Sequence, residues 1–286
     1  MDVLSMFSYS FMLRALVVGI PVALCAALLG VSLVLKRYSM IGDGLSHVGF
    51  GALAIASAFN WAPLPVAIPV VVVAAFLLLR LSESSKIKGD SAIALISSSA
   101  LAIGVTVATM QNGMNTDINS YLFGSIIATS DFDAVLSVCL SAVVILLFVV
   151  FYHRIFAVTF DESFSKATGT NADFYNVIIA ILTALTVVLG MRIMGTLLIS
   201  SLIIFPSLTA MQLCKTFKKV IVVSAVLSVV CFFLGITVSY LYGTPTGASI
   251  VIVNIAAFLC FTLAKKIKGS FSNCYTVSQV LCNDFQ

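Results

Sequence analysis

Long apolar runs restrict this sequence more than any other feature. A helix that crosses a bilayer needs about 20 mostly apolar residues. Hydrocarbon admits only helices or closed barrels as spanning structures, and the runs are too continuous for the alternation of barrel strands. Nine such runs lie at about residues 10–35, 40–59, 63–81, 91–110, 132–152, 174–190, 194–212, 220–241 and 247–264.

The composition agrees, with 61% hydrophobic residues, 9% charged residues and a mean hydropathy of +1.17. A soluble domain carries about 25% charged residues. We therefore predict an all-α polytopic membrane protein with eight or nine transmembrane helices. The run that contains Pro206 is a candidate for a broken or re-entrant segment. We expect a single membrane domain over 1–269 and a polar, poorly ordered tail over 270–286.

Basic residues follow every second run, within 36–37, 80–88, 154–166, 215–219 and 265–268. By the positive-inside rule these loops are cytoplasmic, which puts the C-terminus inside a multi-pass plasma-membrane protein. The opposite loop from Gln111 to Asp133 contains Asp117 and Asp131 but no Lys or Arg. An acidic mouth suits a cation, although the same loop also follows from the positive-inside bias alone.

Asp43 and His47 lie at the second apolar run, four residues apart. On a helix this spacing places both side chains on one face. Ionisable residues in a bilayer point to function by default, and carboxylate and imidazole are ligands for zinc, manganese and iron. One chain supplies two such ligands, and a two-fold dimer supplies the four of a tetrahedral site. Imidazole must be neutral to bind a metal, so transport is expected to fall at acid pH.

Structural roles for the same residues remain open. Asp43 follows Gly42 and is a candidate N-cap for the second helix, while His47 is a candidate for a packed, hydrogen-bonded histidine. His153 stands next to Arg154 at the end of a run, where an interfacial side chain is the better interpretation.

Enzyme motifs are missing from this sequence. It contains neither the G-x-x-x-x-G-K-[ST] phosphate loop nor the HExxH motif. We therefore expect a transport subunit that is not itself an enzyme and holds no permanent cofactor. Active transport then needs a separate ATPase or an ion gradient.

Five blocks of the sequence resemble, in order, the permeases of zinc, manganese and iron ABC importers. The first block is Lys36-Arg37-Tyr-Ser-Met-Ile-Gly-Asp43-Gly-Leu-Ser-His47, and the second is the Y-L-F-G segment at 121–124. The third is the D-x-x-x-A-x-x-x-G cytoplasmic segment, here with some offset at 161–169. The others are the run from Gly195 to Ala210 with its Pro206 and the turn at 244–247.

The resemblance implies a fold like that of the vitamin B12-type (type II) importer permeases. It implies a homodimer in membrane lipid, two cytoplasmic ATP-binding subunits that carry the ATP, and an extracellular metal-binding lipoprotein. It also implies that Asp43 and His47 line the path of the zinc, manganese or iron ion. No nucleic-acid partner is expected.

The cytoplasmic segment 161–169 predicts a short helix. Asp161 and Glu162 suit the start of a helix and Gly169 suits its end, with Ala167 between them. Such a helix is a candidate for docking into the ATPase and coupling it to transport; the alternative is an ordinary solvated loop. Two other functions also remain open, a proton-driven secondary cation transporter and a membrane scaffold or sensor in which Asp43 and His47 only pack.

Overall fold

The structure is a computed structural model that describes residues 9–83, 89–110, 124, 131–196 and 199–283. For residues 82–83, 89–90, 192–194 and 266–283 it describes the backbone alone. Every regular element in these ranges is a helix. The helices are α1 (Ser10–Leu35), α2 (Ile41–Ala58), α3 (Pro63–Glu83), α4 (Gly89–Met110), α5 (Asp131–Val150), α6 (Tyr152–Phe160), α7 (Glu162–Ala167), α8 (Ala172–Met194), α9 (Ile199–Leu213), α10 (Phe217–Tyr242) and α11 (Thr246–Asn283).

Each of the nine apolar runs forms a helix, which confirms the predicted fold class. Within the described ranges, seven helices are long and apolar enough to cross a membrane: α1, α3, α4, α5, α8, α10 and α11. The prediction of eight or nine spans is slightly high by this measure. The two remaining runs form α2, with 18 residues, and α9, with 15.

The shortness of α9 has a local cause at Gly195. This glycine has a φ of +88° and ends α8, and the next described helix begins at Ile199. A left-handed φ is open to glycine because it has no Cβ. The run that contains Pro206 is therefore a shortened helix that begins inside the bundle, since Ile199 is fully buried.

The helix α1 forms the centre of the bundle. In its most apolar window 67% of the residues are buried, against 17% in α4 and 22% in α11, so α4 and α11 present most of their surface outward. Small side chains bring α10 close to α1: Ser228 Oγ donates to the carbonyl of Ala23 at 2.9 Å. Such small residues are typical of membrane helix contacts.

Close packing also fixes α2, the helix that carries Asp43 and His47. A Cβ placed on Gly51 would lie 2.9 Å from the carbonyl oxygen of Ala100 on α4, and one placed on Gly104 would lie 2.9 Å from Cα of Gly51. Both distances are shorter than a side chain tolerates. The position of α2 against α4 therefore depends on glycine at this contact.

Three of the predicted basic loops, at 36–37, 154–166 and 215–219, lie at one end of the bundle. Lys36 lies 3.5 Å from Glu162, and the rings of Phe156 and Phe217 lie 4.9 Å apart. At the opposite end Arg14 forms an ion pair with Asp131 at 2.5 Å. Among the described connections, these three loops therefore share one end, the basic end, and the contact of Arg14 with Asp131 lies at the other.

The turn between α2 and α3 lies at the end opposite the basic loops. Phe59 and Trp61 are 63% and 57% exposed, and their rings stack with 5.1 Å between centroids. Exposed aromatic side chains at the end of a span are typical of the membrane–water interface.

The last helix, α11, continues to Asn283, and the poor order expected for the tail stays a prediction. The segment 270–283 contains neither proline nor glycine, and nothing in it stops a helix that the last span has begun. The division into a domain over 1–269 and a tail over 270–286 stays a prediction.

Candidate metal centre

Asp43 lies inside the first turn of α2 and does not cap it. The N-cap position is Met40, which makes no side-chain capping bond. The capping role considered for Asp43 is therefore wrong. Its carboxylate still lies at the positive end of the helix, where negative charge is favoured.

Asp43 and His47 lie one helical turn apart on the same face, as their spacing predicts. Nε2 of His47 is 3.7 Å from Oδ2 of Asp43, and the two side chains are 12% and 37% exposed. This distance is too long for a direct hydrogen bond. Two ligands of one tetrahedral zinc ion, with bonds of about 2.1 Å, stand about 3.4 Å apart. The pair is therefore spaced more like two ligands of one ion than like a bonded pair.

Ser200 joins this pair from the first turn of α9. Its hydroxyl donates to Oδ1 of Asp43 at 3.4 Å, across 157 positions of sequence. The carboxylate thus lies next to the N-terminus of α9 as well as that of α2, and both helix dipoles favour its charge. The sequence alone assigns no role to Ser200, although the residue lies in the run from Gly195 to Ala210. The polar Ser200-Ser201 pair, soon after the helix-ending Gly195, was the available indication.

The three side chains leave polar capacity unused. Nδ1 of His47 is buried and has no hydrogen-bond partner among the described residues. Within that part of the chain, no three His, Cys, Asp or Glu side chains lie together as a metal site. The arrangement can offer an ion one carboxylate, one imidazole and a hydroxyl, so a full coordination shell needs ligands from elsewhere.

The helix α7 forms as the sequence predicts. Asp161 is its N-cap and accepts a hydrogen bond from the backbone N–H of Phe164 at 2.8 Å. After the last helical residue, Ala167, the chain reverses at Gly169, which has a φ of +80°. The backbone N–H of Gly169 donates to the carbonyl of Lys166 at 3.1 Å. A solvated loop without regular structure is therefore excluded for this segment.

Ionic contacts surround Glu162 on α7. Its carboxylate pairs with Lys166 at 3.0 Å and with Lys36 at 3.5 Å. Partial burial opposes its ionisation, but hydrogen bonds from Lys166 and Asn176 and the charge of Lys36 outweigh this effect and lower the pKa of Glu162. Hydrogen bonds to Asp173 and Glu162 raise the pKa of Lys166. Both groups are therefore held in their charged forms.

The other predicted residues lie apart from the Asp43–His47 pair. Asp131 is exposed and pairs with Arg14, and Asp117 lies outside the described residues. His153 is exposed and its ring contacts Tyr152 edge-on, with 5.3 Å between centroids. This position fits the interfacial interpretation of His153.

Comparisons with known proteins agree with the fold and with the motifs. A sequence profile described as the ABC 3 transport family matches residues 8–265. The manganese import system permease protein ScaB of Streptococcus gordonii is 29% identical over 259 residues, which are 90% of this chain and 93% of that protein.

Two further relatives extend this result. The high-affinity zinc uptake system membrane protein ZnuB of Buchnera aphidicola is 30% identical over 255 residues, 88% of this chain and 95% of that protein. The solved structure of PsaBC from Streptococcus pneumoniae in complex with Fab superposes with a TM-score of 0.80 at 30% identity. That match covers 88% of this chain and 91% of the other.

Proposed function

We infer the function from one premise: this chain belongs to the ABC 3 transport family and is a membrane-spanning permease of it. We propose that it forms the pathway of an ATP-driven importer for a divalent transition-metal ion. The candidate ions are zinc, manganese and iron. Relatives of nearly the same length are named for manganese import and zinc uptake. Metal import is therefore the activity that the relatives support, and the choice of metal is left to experiment.

The observation that carries the proposal is the convergence of Asp43, His47 and Ser200 inside an apolar bundle. Charged side chains at membrane depth are expensive and are retained where an ion passes. The 3.7 Å gap between the imidazole and the carboxylate fits two ligands of one ion. The pair is the proposed metal site of this permease.

The proposed site suits an ion that is bound briefly and released. A histidine that holds a metal tightly normally donates its second ring N–H to a neighbour, and Nδ1 of His47 has no such partner among the described residues. The ligand set from one chain is also incomplete. We propose that a second copy of the chain supplies the remaining ligands, because a two-fold axis repeats Asp43 and His47.

The exposed carboxylate is consistent with this dimer. Asp43 is 37% exposed in the single chain, although it lies on a helix whose other faces are largely buried. An uncovered charge within a membrane bundle needs a partner or a water-filled path. A second protomer around a central pathway would supply either.

ATP-binding subunits are the proposed source of energy, with α7 as their contact. This short helix presents Phe164, which is 64% exposed, at the basic end of the bundle. An exposed aromatic side chain that fills a pocket is a typical anchor of a protein interface. The proposed coupling segment consists of Asp161, Glu162, Ala167 and Gly169. The family's permeases do not hydrolyse ATP themselves, so catalysis belongs to the partner.

The proposed orientation puts the basic end in the cytoplasm. The positive-inside rule assigns the loops with Lys36, Lys166 and Lys218 to the cytoplasm, and the C-terminus follows them. An extracellular lipoprotein would then deliver the ion to the opposite end, where Arg14 and Asp131 lie. Alternating access follows: ATP binding and hydrolysis expose Asp43 and His47 first outward and then inward.

Metal uptake by proteoliposomes that contain the permease, its ATP-binding subunits and the metal-loaded lipoprotein tests the proposal. We expect ATP-dependent uptake of at least one of zinc, manganese and iron. His47→Ala should reduce uptake by about 10- to 100-fold or more, because that is the range for losing a residue that only supports a metal ligand. His153→Ala is the matched control, because this other histidine is exposed at the basic end; it should transport like the wild type.

Three outcomes separate the alternatives. Uptake that persists without the ATP-binding subunits would favour a proton-driven secondary transporter. Wild-type protein that imports none of the three metals contradicts the metal function. Normal uptake by His47→Ala would keep the importer and move its metal site elsewhere.

A further inference from the structure

A buried lysine ends the central helix of the bundle. The side chain of Lys36 is 7% exposed and lies in a small apolar recess lined by Leu33, Ile41, Leu79 and Ile179. An ammonium group in such surroundings needs polar partners, since an unpaired buried charge is strongly unfavourable. The recess itself offers few.

The partners of Lys36 come from α7 and α8. Nζ of Lys36 donates to Oδ1 of Asn176 and lies 3.5 Å from Oε2 of Glu162. Asn176, which is 5% exposed, donates from Nδ2 to the same carboxylate oxygen at 3.2 Å. Three side chains from three helical elements therefore meet in one triangle of polar contacts.

A tight turn joins Lys36 to α2. Arg37 adopts a left-handed φ of +62°, and the backbone N–H of Tyr38 donates to the carbonyl of Leu33 at 2.8 Å. The carbonyl of Tyr38 in turn accepts the N–H of Ile41, the first residue of α2, at 3.0 Å. This hydrogen-bonded turn allows little independent movement of Lys36 and the helix that carries Asp43.

From these contacts we propose that Lys36 is a positioning residue that transmits the movement of α7 to α2, and so links ATP hydrolysis to the metal site. The inference rests on the proposed function of α7 and of Asp43. If the ATP-binding subunits displace α7 alone, the buried ammonium group of Lys36 loses its contact with the carboxylate of Glu162, which disfavours a movement of α7 without Lys36. The α1–α2 turn therefore moves with Glu162, and α2 moves with the turn.

Lys166, the second lysine that contacts Glu162, differs from Lys36 in its exposure and in the helix to which it belongs. Lys166 also contacts the carboxylate, at 3.0 Å, but its side chain is 50% exposed and it belongs to α7 itself. Exposed ion pairs within one helix contribute little. Lys166 holds α7 together and joins it to Asp173 of α8, whereas Lys36 connects α7 to the turn that leads into α2.

A double-mutant cycle in reconstituted proteoliposomes tests the link. The variants are Lys36→Met, which keeps the length of the stem, Glu162→Gln, which keeps the shape, and the combination of both. For each variant we would measure ATP hydrolysis and metal uptake together and express them as ATP hydrolysed per ion imported. Lys219→Met, at an exposed lysine of the same end, is the matched control.

Each single variant should raise the ATP-to-metal ratio by about fivefold or more, the lower end of coupling between distant sites. The double variant should be no worse than the singles, because each change breaks the same link. Lys36→Arg, which keeps the charge, should restore most of the coupling. The control should keep the wild-type ratio.

A merely structural role would give a different result: uptake and ATP hydrolysis would fall together, with an unchanged ratio and a lower melting temperature. That outcome overturns the inference. The inference also fails if the effect of the double variant equals the product of the two single effects. If Lys36→Met does not fold, Glu162→Gln on the half-exposed side decides the question alone. A wild type that hydrolyses ATP without importing any metal refutes the proposed function, and the inference falls with it.

Discussion

The polar groups around Asp43 and those around Glu162 differ in how fully the fold supplies them with hydrogen-bond partners. At Asp43 the nearest partners stand at 3.7 Å and 3.4 Å, and a ring nitrogen of His47 is buried with no hydrogen bond among the described residues. At Glu162 both carboxylate oxygens have partners, at 3.0 Å to Lys166 and 3.2 Å to Asn176. A buried polar atom beside Asp43 therefore lacks a hydrogen-bond partner among the described residues, whereas both carboxylate oxygens of Glu162 have them. We call the group around Glu162 the closed region.

The difference matches two mechanical demands. Unsatisfied buried groups are unfavourable and gain most when a ligand arrives, so the Asp43 region suits a visiting ion that must later leave. Satisfied networks rigidify the elements that they join, so the Glu162 region suits the transmission of force. A permease needs both properties, and here the two regions lie on either side of the turn that joins α1 to α2.

The largest effect is expected from Asp43→Asn, which removes the charge with little change of shape. Uptake should fall by about 100-fold or more, since about 100-fold is the upper end for losing a residue that only supports a metal ligand, while ATP hydrolysis continues. Uptake assays with equal amounts of permease in the membrane measure this. Asp173→Asn makes the matched change in the closed region; Asp173 is 67% exposed, and uptake should stay within about twofold of the wild type. Equal losses of uptake in both variants would show that the two regions do not differ in this way.

A smaller effect is expected from Asp161→Ala at the start of α7. The change removes the hydrogen bond to the N–H of Phe164, 2.8 Å long in the structure, and an N-cap is worth about 1 kcal/mol. A loss of this size corresponds to about a fivefold shift between ordered and frayed α7. Hydrogen exchange of the α7 amides should quicken accordingly, and metal uptake per ATP should fall. Unchanged exchange would show that packing alone holds α7. Asp161→Asn, which still caps, should behave like the wild type.

The smallest effect is expected from Ser200→Ala. The hydroxyl contacts Asp43 over a long 3.4 Å bond, so its removal should weaken metal binding by about threefold, near the low end of a single hydrogen bond. Ser201→Ala, one residue further along α9, is the matched control and should be neutral. Titration of the purified permease with the transported metal measures both. A loss equal to that of Asp43→Asn would make Ser200 a direct ligand, and the site would then be less open than the distances indicate.

The spans could be predicted from the sequence because a backbone in hydrocarbon must satisfy its hydrogen bonds internally, and a long apolar helix does so. The sequence also predicted that Asp43 and His47 share a face, and that Asp161 and Gly169 bound a helix, because both depend on neighbours within a few residues. These are local consequences of helix geometry and capping chemistry, and they hold whatever the rest of the chain does.

The sequence could not predict the contacts that cross between elements. Ser200 reaches Asp43 across 157 positions, and Lys36 reaches Asn176 across 140. No periodicity encodes such pairs, because they depend on how whole helices pack. Arg37 in a left-handed conformation was equally hidden, since glycine or asparagine is the usual residue there. The homodimer, the metal and the roles of Asp43, His47 and α7 stay predictions.

The turn with Phe59 and Trp61 gives this protein an optical property of its own. Trp61 is the single tryptophan in the chain, and it lies just beyond the last residue of α2. Ultraviolet emission from the isolated permease therefore comes chiefly from one indole, stacked on one phenyl ring and half open to its surroundings. Its wavelength and its quenching by brominated lipid report the position of the end of α2 that lies opposite the basic loops, with no label added.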